Sequence, residues 1–176
     1  METVQKFPQA GAVFESPAAL EWLDRLSESN SILSAILAVI HPTLYDAGRE
    51  TFNRLKKAPG IRRQDVISRW TSVFSGIAVI SNRTTPTHRD SNSAHHWYDL
   101  LVTLGSYKNC TLELPGLGVS LEYGPGTVVG LSGMALDHGV PSFEGERVCY
   151  AYFMRDSVHD WAKVHWGTWM NTSHYS

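Results

Sequence analysis

The sequence predicts an α+β fold: a helical front third, then a barrel or jelly roll of short strands, with the N-terminal helices packed on one sheet. Two observations carry this. Apolar residues recur at helical spacing up to about residue 57, and from Ser72 onward they give way to short β-branched runs. Those runs are separated by Gly- and Pro-containing turns at Gly105-Ser106, Pro115-Gly116-Leu117-Gly118 and Gly124-Pro125-Gly126. With 43% hydrophobic and 11% aromatic content, 176 residues suffice for one compact domain, and no repeat or low-complexity linker divides it. The expected division of that single domain (1–176) is a helical support over 1–71, a strand core over 72–155 and a tail over 156–176.

Ser16-Pro17 reads as an N-cap followed by proline at the first helical position, and Leu20, Leu23 and Leu26 follow at helical spacing. A second helix is expected over 30–40, stopped by His41-Pro42, and a third over 43–57, ended by Ala58-Pro59-Gly60. Residues 65–70 form one more short turn. Strands are expected over 73–80, 97–104, 111–114, 119–123, 127–131 and 147–154. The tail carries Trp161, Trp166 and Trp169 and is aromatic enough to pack back on the body.

Composition narrows the function classes. No apolar run is long enough to span a bilayer, and the N-terminus lacks the basic-then-apolar order of a secretory signal. Two cysteines, Cys110 and Cys149, suit a reducing compartment, so a nuclear or cytoplasmic location is expected, with no membrane partner. The net charge of −2 does not advertise a nucleic-acid binder, but its distribution is uneven. Within 49–69, Arg49, Arg54, Lys56, Lys57, Arg62, Arg63 and Arg69 face only Glu50 and Asp65, a local +5 against −7 for the remainder. Such a segment either tracks phosphates or forms a solvated helical surface.

The chemistry concentrates later. His88 and Asp90 follow the Thr/Pro-rich stretch Arg83-Thr84-Thr85-Pro86-Thr87, and residues separated by one position in an extended segment point to the same side. A His-x-Asp alone is commonplace; its ordinary alternative is a loop aspartate paired with Arg89. His138, after the strand expected over 127–131, changes the odds, because a barrel can return it to the mouth near His88. Two histidines and one carboxylate occupy one face of a ferrous ion and leave the other open. Arg147 then opens an otherwise uncharged strand, where a buried cation demands an anion such as the far carboxylate of a small dicarboxylic acid. Together these residues read as a non-haem Fe(II), 2-oxoglutarate-dependent oxygenase.

The sequence resembles the 2-oxoglutarate/Fe(II) oxygenases over roughly residues 73–155, and in particular the TET/JBP branch that oxidises methylated bases, as a short fungal-type member. The likeness rests on His88-Arg89-Asp90, on Trp97-Tyr98-Asp99 leading toward Gly105, and on Leu112-Glu113-Leu114-Pro115. It rests also on Tyr123-Gly124-Pro125-Gly126-Thr127-Val128-Val129, and on His138 with Arg147. The resemblance implies a double-stranded β-helix of the jelly-roll, cupin-like kind. It also implies His88, Asp90 and His138 on Fe(II), and Arg147 on the C5 carboxylate of 2-oxoglutarate, with O2 as the other cosubstrate. Cys149 stands where such enzymes often place a small hydroxyl residue beside the cosubstrate, and this sequence holds no cysteine-rich region.

For the substrate, the resemblance points to polar residues just past the aspartate, Asn92 or Ser93. His95, His96, Trp97 and Tyr98 are candidates to wall the pocket and stack on a flipped base; core packing is the alternative for Trp97. Arg62 and Arg63, within the 49–69 segment, are expected to contact nucleic acid, DNA more than RNA. The expected reaction oxidises the methyl group of 5-methylcytosine or N6-methyladenine, with succinate and CO2 as coproducts; on nitrogen the outcome is demethylation. The alternatives are the same chemistry on a small metabolite or protein side chain, a catalytically silent barrel acting as a binding module, and a zinc hydrolase using the same three ligands.

Overall fold

The computed structural model describes residues 10–91, 93–165, 168–171 and 173. These form two compact units, one of helices and one of strands. Among the described residues no helix is long and apolar enough to cross a membrane.

The helical unit begins with a 3-10 turn, Ala12–Glu15, followed by α1 (Pro17–Arg25), α2 (Ser27–Ile40), α3 (Pro42–Lys57) and α4 (Gln64–Arg69). α5 (Asp156–Ala162), built from the tail, belongs to the same unit. Ser16 holds an extended conformation before Pro17, as expected at a helix start. α2 begins three residues earlier than the expected Asn30. The reason is that Asn30 is a core residue: it is fully buried and its Nδ2 donates to Thr71 Oγ1 at 3.1 Å. With Leu33, Ser34 and Leu37 it makes one inward stripe. α3 buries Leu44, Ala47, Gly48, Thr51, Phe52 and Leu55 at the same spacing. Its N-terminus is capped by the buried His41, whose Nδ1 accepts from the Leu44 N–H. Trp70 stacks on Phe52 and donates its indole N–H to Phe74 O at 2.8 Å.

Trp161 packs against Ala47, Ala162 and Val164. Arg54 reaches the Ala162 and Lys163 carbonyls at 2.8 and 2.9 Å, satisfying the end of α5. Of the other tail tryptophans, Trp169 is 53% exposed and Trp166 lies outside the described residues.

The strand unit contains β1 (Gly76–Ser81), β2 (Thr85–His88), β3 (Asp99–Lys108), β4 (Thr111–Leu114), β5 (Val119–Glu122), β6 (Val128–Leu131), β7 (His138–Val140) and β8 (Glu144–Phe153). They form two four-stranded antiparallel sheets, ordered β1-β8-β3-β6 and β2-β7-β4-β5. Tyr107 and Leu131 from the first sheet meet Leu112, Leu114 and Val140 from the second in one core cluster with Cys110 and Tyr123.

Several expectations are corrected. Val73 and Phe74 are buried in the helical unit, and the first strand starts only at Gly76. Gly105-Ser106 is no turn: β3 runs through it to Lys108, paired with β8 all along. Gly105 (φ +128°) and Gly145 (φ +111°) are where the two backbones press together. A Cβ at Gly105 would overlap Glu146 O, and one at Gly145 would overlap Ser106 O. Thr85, Pro86 and Thr87 of the Thr/Pro-rich stretch belong to strand β2, and His138 opens the short strand β7. Pro86 is tolerated in β2 because β2 is a sheet edge, where a missing N–H costs no ladder bond.

His159 on α5 is fully buried, with Nδ1 3.2 Å from Thr51 Oγ1, and burial pulls its imidazole down to about 4. An unfolded histidine titrates near 6.5, so between these values the unfolded chain binds the extra proton. The stability from keeping His159 neutral is therefore complete above about pH 6.5 and lost as the pH falls toward 4, at most ~3 kcal/mol. His159→Gln, which keeps a hydrogen-bonding group for Thr51, is expected to flatten this acid limb in urea melts taken across pH. An unchanged limb would clear His159 of causing it.

Candidate metal centre

His88 closes β2 and His138 opens β7, and the two are direct register partners. Their ring centroids lie 4.4 Å apart. Between the pairs Thr85↔Val140 and His88↔His138, β2 advances three residues while β7 advances two, which is a β-bulge. Gly139 admits the bulge, since a Cβ there would stand only 3.0 Å from Thr85 O and Thr87 N. Past the strand end, the Asp90 N–H donates to Gly133 O at 3.0 Å, which turns the Asp90 side chain back toward the histidines. Asp90 Oδ1 lies 3.4 Å from His88 Nε2, and Oδ2 lies 3.8 Å from His138 Nε2.

The hydrogen bonds on the far side of each ring fix the tautomers. His88 Nδ1 is 2.9 Å from Pro86 O, and His138 Nδ1 is 3.0 Å from Leu136 O. A carbonyl only accepts, so each Nδ1 carries the proton and each Nε2 presents a lone pair. Two imidazole lone pairs and a carboxylate, all within 4.8 Å of one another, repel unless a cation sits among them. The donor set of two histidines and one carboxylate suits Fe(II) with coordination positions left open, and the Nδ1–carbonyl bonds are the usual support for metal-ligating histidines. Arg89, between the two candidate ligands, clasps Asp137 with two bonds of 2.9 Å and so ties the His88 segment to the His138 segment.

Arg147 was expected to open its strand; it lies inside β8, opposite Gly105, and is only 2% exposed. Among the described residues no carboxylate lies within ion-pair distance of it. Its Nε–H donates to Thr103 Oγ1 at 3.0 Å. Thr103 in turn donates to Tyr107 Oη at 2.8 Å, because the one Tyr107 hydroxyl proton goes to Tyr123 O at 2.9 Å. The guanidinium sits 5.1 Å from the Tyr123 ring centroid and 5.7 Å from that of Phe143. One cavity is lined by His88, Asp90, His138, Tyr123, Arg147 and Cys149. A buried, unpaired guanidinium at one end and a metal-type donor set at the other fit a small dicarboxylate that also chelates a metal. Burial pushes the Cys149 thiol up, against the hydroxyl of Tyr123 and the charge of Arg147, so it is uncharged near neutrality.

A second cavity, of about 280 Å³, also borders Asp90 and is lined by Ser91, Ser93, Asp99, Phe153 and Arg155. Of the two residues expected to meet substrate, Ser93 lines this cavity; Asn92 lies outside the described residues. Asp99 is 4% exposed; Oδ2 accepts from the Gly133 N–H at 3.3 Å, while Oδ1 is buried without a partner among the described residues. Burial, and after it the charge of Asp90, pushes this carboxyl up to about 7 against the Gly133 N–H.

His96 packs edge-on against Trp97 and Trp169, each 6.3 Å away, and Tyr98 is half-buried. The Trp97 side chain is 1% exposed and takes the packing role. Arg62 and Arg63 belong to the helical unit, where Arg63 pairs with Asp65 at 2.8 Å.

Sequence reasoning missed Thr103, Tyr107 and Tyr123, which reach Arg147 only through cross-strand register. It missed Asp99 as well, although a lone charge within the apolar run Trp97-Tyr98-Asp99-Leu100-Leu101-Val102 is a readable signal.

Gly133 touches both carboxylates. A Cβ there would overlap Asp90 Oδ2 and stand 2.9 Å from Asp99 Oδ2. The obstructed atom is the free end of a side chain, so Gly133→Ala is expected to leave the fold intact and swing Asp90 aside. Mn(II) titration should then show affinity lowered about 10- to 100-fold, with the melting temperature of the metal-free protein little changed. Unchanged affinity would mean Asp90 does not need that position to bind metal.

No curated protein matches the chain. The Tet_JBP family, the oxygenase domain of the 2OGFeDO superfamily, matches residues 7–156. That match spans both the helical and the strand unit, and the donor set and the unpaired guanidinium fit the cofactors the superfamily requires. The chain belongs to the Tet_JBP family of 2OGFeDO-superfamily oxygenases, dependent on Fe(II) and 2-oxoglutarate.

Proposed function

We propose that the protein is a dioxygenase that oxidises the methyl group of a modified base in nucleic acid, 5-methylcytosine or N6-methyladenine. The observation that carries the reading is one cavity holding His88, Asp90 and His138 together with the buried, unpaired Arg147. In this reading His88 Nε2, His138 Nε2 and an Asp90 oxygen hold Fe(II), and Arg147 binds the C5 carboxylate of 2-oxoglutarate. Bound iron and 2-oxoglutarate supply the oxidising power: one atom of O2 enters the methyl group as hydroxyl, and the other enters succinate as CO2 leaves.

The protein's own part is orientation and exclusion of water. The Pro86 and Leu136 carbonyls keep the protons on Nδ1 and so keep both Nε2 atoms available. Thr103 and the Tyr123 and Phe143 rings fix the guanidinium in a dry site. The uncharged Cys149 thiol adds no competing negative charge. Sheet orders β1-β8-β3-β6 and β2-β7-β4-β5 support a double-stranded β-helix. The family match over residues 7–156 supports reading the chain as one oxygenase domain. In this reading the nucleic acid meets cations of the 49–69 segment and enters the cavity that Ser93 lines.

A second reading, the same chemistry on a small metabolite or protein side chain, is favoured by one observation. Arg49, Arg54, Arg63 and Arg69 are already paired with Asp46, Glu50, Asp65 and Asp24. Among the described residues of the segment, Lys56, Lys57 and Arg62 form no ion pair and remain to meet phosphates.

Succinate formation by anaerobically iron-loaded protein, with and without oligonucleotides bearing either methylated base, separates the readings. Stimulation by a methylated oligonucleotide over its unmethylated twin is the expected result. Turnover without stimulation would move the substrate to small molecules or proteins, and no turnover with iron bound would leave a silent binding module. Reversing charge at Lys56, Lys57 and Arg62 is expected to weaken nucleic-acid binding and to lower its salt dependence by about one unit of log–log slope per cation. An unchanged slope would remove this segment from the interface.

A further inference from the structure

Arg147 stands opposite Gly105 in the β3–β8 register, where β3 brings no side chain. Thr103 and Tyr107, two residues to either side of Gly105, flank the guanidinium: Nε–H donates to Thr103 Oγ1 at 3.0 Å, and the Tyr107 ring centroid lies 6.0 Å from Cζ. The fully buried Thr103 is itself fixed from three directions. Its N–H donates to Thr127 O at 3.1 Å, its carbonyl accepts from Gly126 N at 2.7 Å, and its hydroxyl donates to Tyr107 Oη at 2.8 Å. Tyr107 gives its own proton to Tyr123 O at 2.9 Å. The turn over 123–127 therefore grips Thr103 by the backbone and, through Tyr107, by the side chain. With its proton committed, Thr103 can only accept from Arg147.

A guanidinium offers a carboxylate two kinds of fork, Nε with one Nη or the two Nη together. Thr103 occupies Nε and leaves the fork of two Nη, which no carboxylate among the described residues engages. His88, Asp90 and His138 line the same cavity as Arg147. A ligand held at both places must match the distance between them. We infer that Thr103 is a positioning residue that sets the chain length of the 2-oxo diacid this site accepts, by holding Arg147 through Nε and leaving only its two Nη groups for the far carboxylate. The inference rests on the reading that Arg147 binds the C5 carboxylate of 2-oxoglutarate. A longer homologue must buckle to meet a fork held in place. Without the Thr103 acceptor the guanidinium is free to turn and to offer Nε as well, so the match to one length is relaxed.

The test is anaerobic calorimetric titration of Mn(II)-loaded protein with 2-oxoglutarate, with 2-oxoadipate and 2-oxopimelate, and with 2-oxopentanoate. The second and third are one and two methylenes longer; the last has the length of 2-oxoglutarate without its far carboxylate. Wild type is expected to bind 2-oxoglutarate about 10- to 100-fold more tightly than either longer diacid. Thr103→Val keeps the shape of the side chain and removes the acceptor. It is expected to weaken 2-oxoglutarate binding about 10-fold and the longer diacids little, so the length preference falls by about as much, with Mn(II) affinity retained. Thr103→Ser, which keeps the acceptor, is expected to keep the preference.

Equal weakening of all three diacids in Thr103→Val would overturn the proposal and leave Thr103 a support for the strand. So would a length preference that survives the substitution. Wild type that binds the three diacids alike would overturn it with no variant at all. If wild type binds 2-oxopentanoate as tightly as 2-oxoglutarate, no residue reads the far carboxylate, and the Arg147 reading itself fails and takes this proposal with it.

Discussion

The pairing of His88 with His138 across β2 and β7 is the constraint on which the rest of the centre depends. To hold one metal ion both rings would have to present Nε2 to one point, and regular antiparallel pairing alone does not secure that. The bulge in β2 re-aims His88, the Gly139 backbone lets β2 approach closely enough to bulge, and two backbone carbonyls hold the ring tautomers. Asp90 is brought in by a different route, through its own N–H on Gly133 O. The candidate ligand set is therefore held mostly by backbone groups, whose positions follow from strand register and not from side-chain packing.

The other end of the cavity solves a different problem. A buried cation without a carboxylate is expensive, and the fold makes Arg147 tolerable without neutralising it. The chain from Arg147 Nε through Thr103 and Tyr107 to the Tyr123 carbonyl passes donation in one direction, and aromatic faces supply diffuse negative potential. Thr103 and Tyr107 lie on β3 and Arg147 on β8, so the most heavily paired strands of the first sheet carry this end. The charge stays available for an anion because nothing in this arrangement cancels it.

How much of this was legible in the sequence follows from distance along the chain. β4 was read to the residue, and β5, β6 and the long helices nearly so, because their signals are local periodicity and turn residues. β2 and β7 were hidden: one contains proline, the other has three residues, and each is a strand only by virtue of its partner. Gly105 misled because glycine marks turns and close backbone approach alike, and only the β3–β8 register tells them apart. His88, Asp90, His138 and Arg147 were readable as candidates because they form an ordered set, although each alone is commonplace. Their helpers Thr103, Tyr107 and Tyr123 are ordinary residues whose role exists only after folding.

Pro86 has a consequence outside the candidate metal centre. β2 is the outer strand of its sheet, and outer strands invite foreign backbone to join them. At Pro86 there is no N–H to offer, and the carbonyl is engaged by the His88 imidazole. At that position the strand presents neither half of a ladder bond. The contact that sets a ring tautomer thus also guards the molecule's margin against self-association.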